Sequence, residues 1–169
     1  MTGYQPDILA KGLKVIFCGL NPGTSAERSG HSFSTPSNRF WNVLHLSGFT
    51  NVRLEPIDER RLLEYRCGIT AVVRRPTRRA SEVRPQEFRQ ARKEFEERMR
   101  HFAPCSLAFL GKRAYVNMMD AGDVQWGQQP VASAGIATWI LPNPSGLDRR
   151  FTLEALVRAY SELRIALER

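Results

Sequence analysis

The stretch Val15-Ile16-Phe17-Cys18-Gly19-Leu20-Asn21-Pro22-Gly23 decides how the chain must fold. Its first four residues are apolar without alternation, so both faces of the segment are predicted to be buried. The run gives way at once to small residues around an Asn-Pro pair, the composition of a turn at a strand exit. A strand buried on both faces belongs to a mostly parallel sheet with helices on either side. The same pattern returns near the other end of the chain. There Ala137-Thr138-Trp139-Ile140-Leu141 leads into Asn143-Pro144-Ser145-Gly146-Leu147. In a parallel sheet the strand exits share one edge, where ligand crevices form. Two rigid polar loops, distant in sequence, are expected to face one site.

Outward from these runs, strands are expected at 14–19, 67–73, 106–110 and 136–141. Ser37 reads as the N-cap of a helix carrying Phe40, Trp41, Val43, Leu44 and Leu46 and ended by Gly48. Asp58 reads as the cap of a short helix with Leu62 and Leu63. Residues 86–102 form the clearest helix, with Phe88, Phe95, Met99 and Phe102 on one face at helical spacing, a core stripe. Further helices are expected from Gly111 through Met119 and over 152–167. Residues 24–36, 74–84 and 120–130 read as loops, the last with an exposed Trp126-Gly127. The alternation predicts a three-layer α/β/α sandwich around a central, mostly parallel sheet of four or five strands, with right-handed crossovers. One domain over 1–169 is the simplest organisation at this length.

The charge balance is uneven: 25 Lys+Arg against 17 Asp+Glu, a net charge of +8. Only Lys11, Lys14, Lys93 and Lys112 are lysines; the rest are arginines, whose planar forks suit phosphate and base contacts. A polyanionic partner, nucleic acid first, competes evenly here with a merely solvated basic surface. The three cysteines have neither disulfide nor metal spacing and read as small buried apolar residues in a reducing compartment. No apolar run reaches transmembrane length and the N-terminus lacks signal-peptide architecture, so a cytoplasmic protein is expected. His31, His45 and His101 do not cluster. No metal site, cofactor motif or phosphate-binding G-K-[ST] sequence is found. No acidic pair suited to a two-metal nuclease stands out.

The loops nevertheless carry usable chemistry. Asn21 presents a neutral amide that can orient a water, and the flanking glycines allow close backbone approach. Ser145 and nearby N–H groups suit a phosphate. Leu147, an apolar residue on a basic loop, has the composition of a wedge that enters a base stack. Phe33, an aromatic in a polar loop, can stack on a nucleobase. Read singly, the two Asn-Pro segments are ordinary turns, Leu147 folds back onto the core, and Phe33 is equally a loop anchor.

Taken in order, Phe17-Cys18-Gly19-Leu20-Asn21-Pro22-Gly23, Asn38-Arg39-Phe40-Trp41, Tyr65-Arg66-Cys67-Gly68-Ile69-Thr70, Leu110-Gly111-Lys112, Gln125-Trp126-Gly127 and Leu141-Pro142-Asn143-Pro144-Ser145-Gly146-Leu147 span nearly the whole chain. This ordered set resembles the mismatch-specific uracil-DNA glycosylases, the bacterial branch of the thymine-DNA glycosylase family. The resemblance implies an enzyme that flips uracil or 3,N4-ethenocytosine out of double-stranded DNA and hydrolyses its N-glycosidic bond. It implies Asn21 as the water-orienting catalytic residue. Leu20 (through its backbone), Phe33, Ala26 and Ala71 would form the base pocket. Asn143 and Ser145 would grip the flipped nucleotide, and Gly146, Leu147 and Arg149 would make up the wedge.

Nothing in the sequence suggests an obligate dimer, and a monomer without cofactor or metal is expected. No lysine falls where the family pattern would place an attacking amine, so a monofunctional enzyme leaving an abasic site is expected. Ala71 stands where some relatives carry a polar side chain, and its methyl group cannot read a pyrimidine edge. Ala26 leaves room for a bulkier base, and Asp148 adds a negative charge beside the wedge. Two other readings remain open from the residues: a non-catalytic module that binds mismatched or damaged DNA, and a small-nucleotide enzyme with the two loops as phosphate cradle.

Overall fold

The structure, a computed structural model, describes residues 6–169; the first five residues of the domain expected over 1–169 lie outside it. The chain runs β1 (Val15–Gly19), α1 (Thr24–Ser29), α2 (Phe40–Leu46), a 3-10 segment (Pro56–Tyr65) and β2 (Cys67–Ala71). It continues with α3 (Pro85–Phe102), β3 (Ser106–Leu110), α4 (Arg113–Met119), β4 (Gly127–Gln128), β5 (Ala137–Leu141) and α5 (Leu153–Leu167). The sheet order is β2-β1-β3-β5-β4; the first four strands are parallel and the short edge strand β4 is antiparallel. The expected mixed α/β sandwich with a mostly parallel five-stranded sheet is what the chain adopts.

Both faces of the sheet are covered, which is why the strands read as unbroken apolar runs. Phe17, Ile69, Ala108 and Leu141 pack with Phe40 and Leu44 of α2 and Leu156, Tyr160 and Leu163 of α5. On the other face Ile16, Cys18, Leu107, Phe109 and Ile140 pack with the α3 stripe of Phe88, Phe95 and Met99 and with α4. α3 starts on Pro85, whose fixed φ suits the first helical position. α5 is capped by Thr152, whose Oγ1 accepts a hydrogen bond from the Ala155 N–H, 3.1 Å. No helix among the described residues is long and apolar enough to cross a membrane.

Several local expectations are corrected. Residues 24–36 are not all loop, because Thr24–Ser29 form α1, closed by Gly30 at φ 76°. A single turn and a half of small polar residues has no apolar period to detect. The cap of α2 is Arg39 rather than Ser37, and Asn38 Oδ1 accepts from the Phe40 N–H, 2.9 Å. Asp58 lies inside the 3-10 segment, which begins at Pro56. Trp126 is partly buried rather than exposed, with the Lys112 ammonium 4.7 Å above its ring and Phe151 against it. Cys105 is exposed, one residue short of β3. Cys18 and Cys67 are buried as expected, and burial pushes the Cys67 thiol up to about 12.

This topology fixes where a site can form. The β1–β2 connection carries α2 on one face, and the β2–β3 connection carries α3 over β1 on the other. The strand order therefore reverses at β1, and the crevice belongs outside the exits of β1 and β3.

Candidate functional site

A cavity of about 830 Å³ opens at that edge. Leu20, Asn21, Ala26, Phe33, Ala71, Asn143, Ser145, Gly146, Leu147 and Arg149 all line it. The structure thus brings every candidate residue from the sequence to one place, from the exits of β1, β2 and β5 and from the loop before α2.

Asn21 sits in a loop stitched to the segment that follows β2. Val72 and Val73 donate their N–H groups to the Gly19 and Leu20 carbonyls, both 3.0 Å, and the Thr77 N–H donates to the Pro22 carbonyl, 3.1 Å. The Asn21 side chain joins the same seam. Its Nδ2 donates to the Arg75 carbonyl at 2.8 Å and to Thr77 Oγ1 at 2.9 Å. Both amide hydrogens are used, and Oδ1 has no partner among the described residues. What this loop offers the cavity is a fixed acceptor.

Phe33 is held in a backbone conformation that non-glycine residues seldom adopt, φ 53°. Its neighbour supplies the restraint. The Ser32 N–H donates to the Glu59 carboxylate at 2.7 Å, and Trp41 Nε1 donates to the Ser32 carbonyl at 3.2 Å. The Phe33 ring stacks on Phe40, centroids 4.1 Å apart, and also lines the cavity. Core anchor and pocket wall are therefore one residue here. Burial pushes the Glu59 carboxyl up, against the opposing pull of the Ser32 N–H and of His31.

The β5 exit is braced from within and from outside. Asn143 Oδ1 accepts from the Ser145 N–H, 3.0 Å, and Ser145 Oγ accepts from the Leu147 N–H, 3.2 Å. Asn143 Nδ2 is left without a partner among the described residues, a donor on the cavity wall. Arg39 holds the loop from α2: its guanidinium donates to the carbonyls of Phe151 at 2.7 Å, Asp148 at 2.9 Å, Ser145 at 3.2 Å and Pro144 at 3.4 Å. Gly146 packs so closely on this support that a Cβ there would lie 2.5 Å from Ser37 Oγ and 2.6 Å from the Ser37 carbonyl. On this brace Leu147 stands 83% exposed, so it does not fold back onto the core.

Charge around the cavity is positive or neutralised. Asp148, the single acidic residue among the described lining, is bound by Arg150 at 2.8 and 3.0 Å. That hydrogen bond holds the Asp148 carboxyl below its usual range. The negative charge expected beside the wedge is thus taken up by its neighbour. Arg98 donates to the Ala71 carbonyl at 3.0 Å, steadying the end of β2 beneath the pocket. Arg39, Thr77 and Glu59 were not expected to matter. Arg39 lies in a quoted motif, but nothing in the sequence marks it as a brace, and Thr77 and Glu59 carry no signal of their own.

The arrangement offers an oriented acceptor, a nearby amide donor, an aromatic wall and an exposed apolar side chain on a rigid loop. It lacks a free carboxylate among the described lining residues. The profile of the uracil DNA glycosylase superfamily matches residues 6–164, and the chain belongs to that superfamily. Its fold is similar to the solution NMR structure of a candidate uracil DNA glycosylase from Methanosarcina acetivorans. The two are 17% identical, the match covers 98% of this chain and 97% of that one, and the TM-score is 0.62.

Proposed function

We propose that the protein is a mismatch-specific DNA glycosylase, which releases uracil opposite guanine, and 3,N4-ethenocytosine, from double-stranded DNA. The observation that carries this reading is that the free Oδ1 of Asn21 and the exposed Leu147, from loops after β1 and β5, line one cavity. The target bond is buried in the base stack, so the nucleotide must leave the helix first. Leu147 fills the gap it leaves, while Gly146 lets the loop approach the duplex and Arg149 contacts it. The extruded base enters between Phe33, Leu20, Ala26 and Ala71. Asn143 and Ser145 hold the nucleotide.

Asn21 Oδ1 then accepts a hydrogen bond from a water and aims the water's lone pair at the sugar carbon. As the C–N bond breaks its electron pair leaves with the base, so positive charge grows on the sugar and negative charge on the departing base; the water's oxygen bonds to the sugar carbon, and the proton it sheds passes through solvent to the base anion. N–H donors at the pocket stabilise that anion. An amide does not take a proton as a carboxylate does, so catalysis rests on positioning and leaving-group stabilisation. Selectivity then follows the cost of extrusion, which is lowest for a mispaired base. No lysine is among the described lining residues, which supports a monofunctional enzyme; we propose further that it acts as a single domain and a monomer.

A base-release panel tests the reading, with uracil, thymine and ethenocytosine each placed opposite guanine. Release of uracil and ethenocytosine is expected; release of none contradicts it. The absence of a free carboxylate from the described lining favours one other reading, a module that binds mismatched DNA without cleaving it. Tight binding with no base release in the same panel selects that reading.

A further inference from the structure

The segment after β2 carries two Arg-Arg pairs, Arg74-Arg75 and Arg78-Arg79, and the structure divides them. Arg74 forms a bidentate pair with Asp7, 2.7 and 2.6 Å, and Arg75 one with Glu87, 3.0 and 3.1 Å. Arg78 and Arg79 are exposed at the cavity mouth, and their guanidinium groups have no partner among the described residues. The backbone beneath them is nonetheless fixed. The Thr24 N–H donates to the Thr77 carbonyl, 3.1 Å, and the Arg79 N–H donates to the Glu82 carboxylate, 2.7 Å. Arg113, from α4, donates to the carbonyls of Ala80 and Val83.

Two adjacent guanidinium groups with no ion-pair partner among the described residues, on a backbone whose one nearby carboxylate, Glu82, is spent on the Arg79 N–H, are an electrostatic cost that a polyanion relieves. Their place in the fold says which part of a polyanion. They follow β2, whereas the Leu147 loop follows β5, and β1 and β3 lie between. Thr77, beside them, pairs with Gly23 in the segment after β1, so the two arginines flank the β1 side of the cavity and the Leu147 loop its β5 side. We propose that Arg78 and Arg79 form a second phosphate-binding site, across the cavity from the Leu147 loop, which grips the sugar–phosphate backbone of the duplex beside the extruded nucleotide. This rests on the reading of the cavity as a DNA site.

The test is the salt dependence of binding to a duplex with one G·U pair, for wild type and three double variants of matched thermal stability. Each phosphate contact contributes about 0.9 to the slope of log K against log salt. Arg78→Gln with Arg79→Gln is expected to reduce the slope by about 1.8, whereas Arg78→Lys with Arg79→Lys keeps it. Lys93→Gln with Arg100→Gln, the same charge loss on the exposed side of α3, is expected to leave it unchanged. A wild-type slope in the Arg78→Gln, Arg79→Gln protein overturns the site, as does an equal loss in the α3 control. Uracil release by wild type is scored separately and tests only the reading on which the site rests. A wild type that does not bind duplex overturns both.

Discussion

Thr77 decides which way round the Asn21 amide lies. The Thr77 hydroxyl spends its single proton on the Arg79 carbonyl, 2.8 Å, so towards Asn21 it can only accept. The Arg75 carbonyl, the second partner, is an acceptor by nature. Nδ2 must face both, and Oδ1 must face the cavity. The proposed water-orienting atom is thus set by a residue outside the family motifs.

Thr77→Val keeps the shape and removes the hydroxyl, and with it both the acceptor for Asn21 and the donor to the Arg79 carbonyl. Of the two bonds lost, the one to Asn21 sets the amide, and its loss at about 1–1.5 kcal/mol corresponds to roughly a tenfold fall in single-turnover base release. DNA affinity is expected to stay within about twofold. Thr77→Ser is expected to retain the wild-type rate. A Thr77→Val protein with an undiminished rate would show that the amide needs no lock.

Arg39 predicts a different phenotype, because it touches the wedge loop and not the water. Arg39→Gln removes donors to four carbonyls and is expected to lower stability by about 2–3 kcal/mol. For a chain of this size that is a Tm fall of about 4–12 °C. Below that Tm, base release from duplex is expected to suffer more than release from single strands. Equal losses on both would detach Arg39 from the wedge.

Leu147→Ala should leave stability almost untouched, since the side chain is exposed. Base release from a G·U duplex is expected to fall about tenfold, and release from single-stranded DNA by less than twofold, because only a stack has a gap to fill. Comparable losses on the two substrates would remove the wedge role.

Much of this was legible in the sequence, for identifiable reasons. The runs at Val15–Gly19 and Ala137–Leu141 declare themselves because burial on both faces abolishes alternation. Their exits declare the site because parallel strands end on one edge. α1 and β4 escaped because six and two residues are too short for any period to register. Arg39 and Thr77 escaped for another reason. Arg39 acts on backbone carbonyls 105 to 112 residues away, and Thr77 on a side chain 56 residues away. Such contacts are a property of the closed topology and leave no local pattern.

The N-terminal segment gives a prediction with a defined sign in pH. Burial raises the Asp7 carboxyl, but hydrogen bonds from Arg74 and Thr70 and the charges of Arg74 and Arg98 outweigh it and hold it below its ordinary 3.8. A depressed folded value means that the stabilisation is present above about 3.8 and disappears as pH falls through the folded value. The stability gap between wild type and Asp7→Asn, followed by urea unfolding, is expected to be constant from pH 7 to 5 and to shrink below about pH 4. A gap that widens on acidification would reverse the sign.

The most direct test is base release from a duplex with one G·U pair, followed by alkaline cleavage, for wild type and Asn21→Ala at equal DNA occupancy. The account predicts a strand break at the uracil with wild type and a rate at least about a hundredfold lower with Asn21→Ala, the loss typical of one essential positioning group. No break with wild type, or an equal rate with the variant, would contradict it.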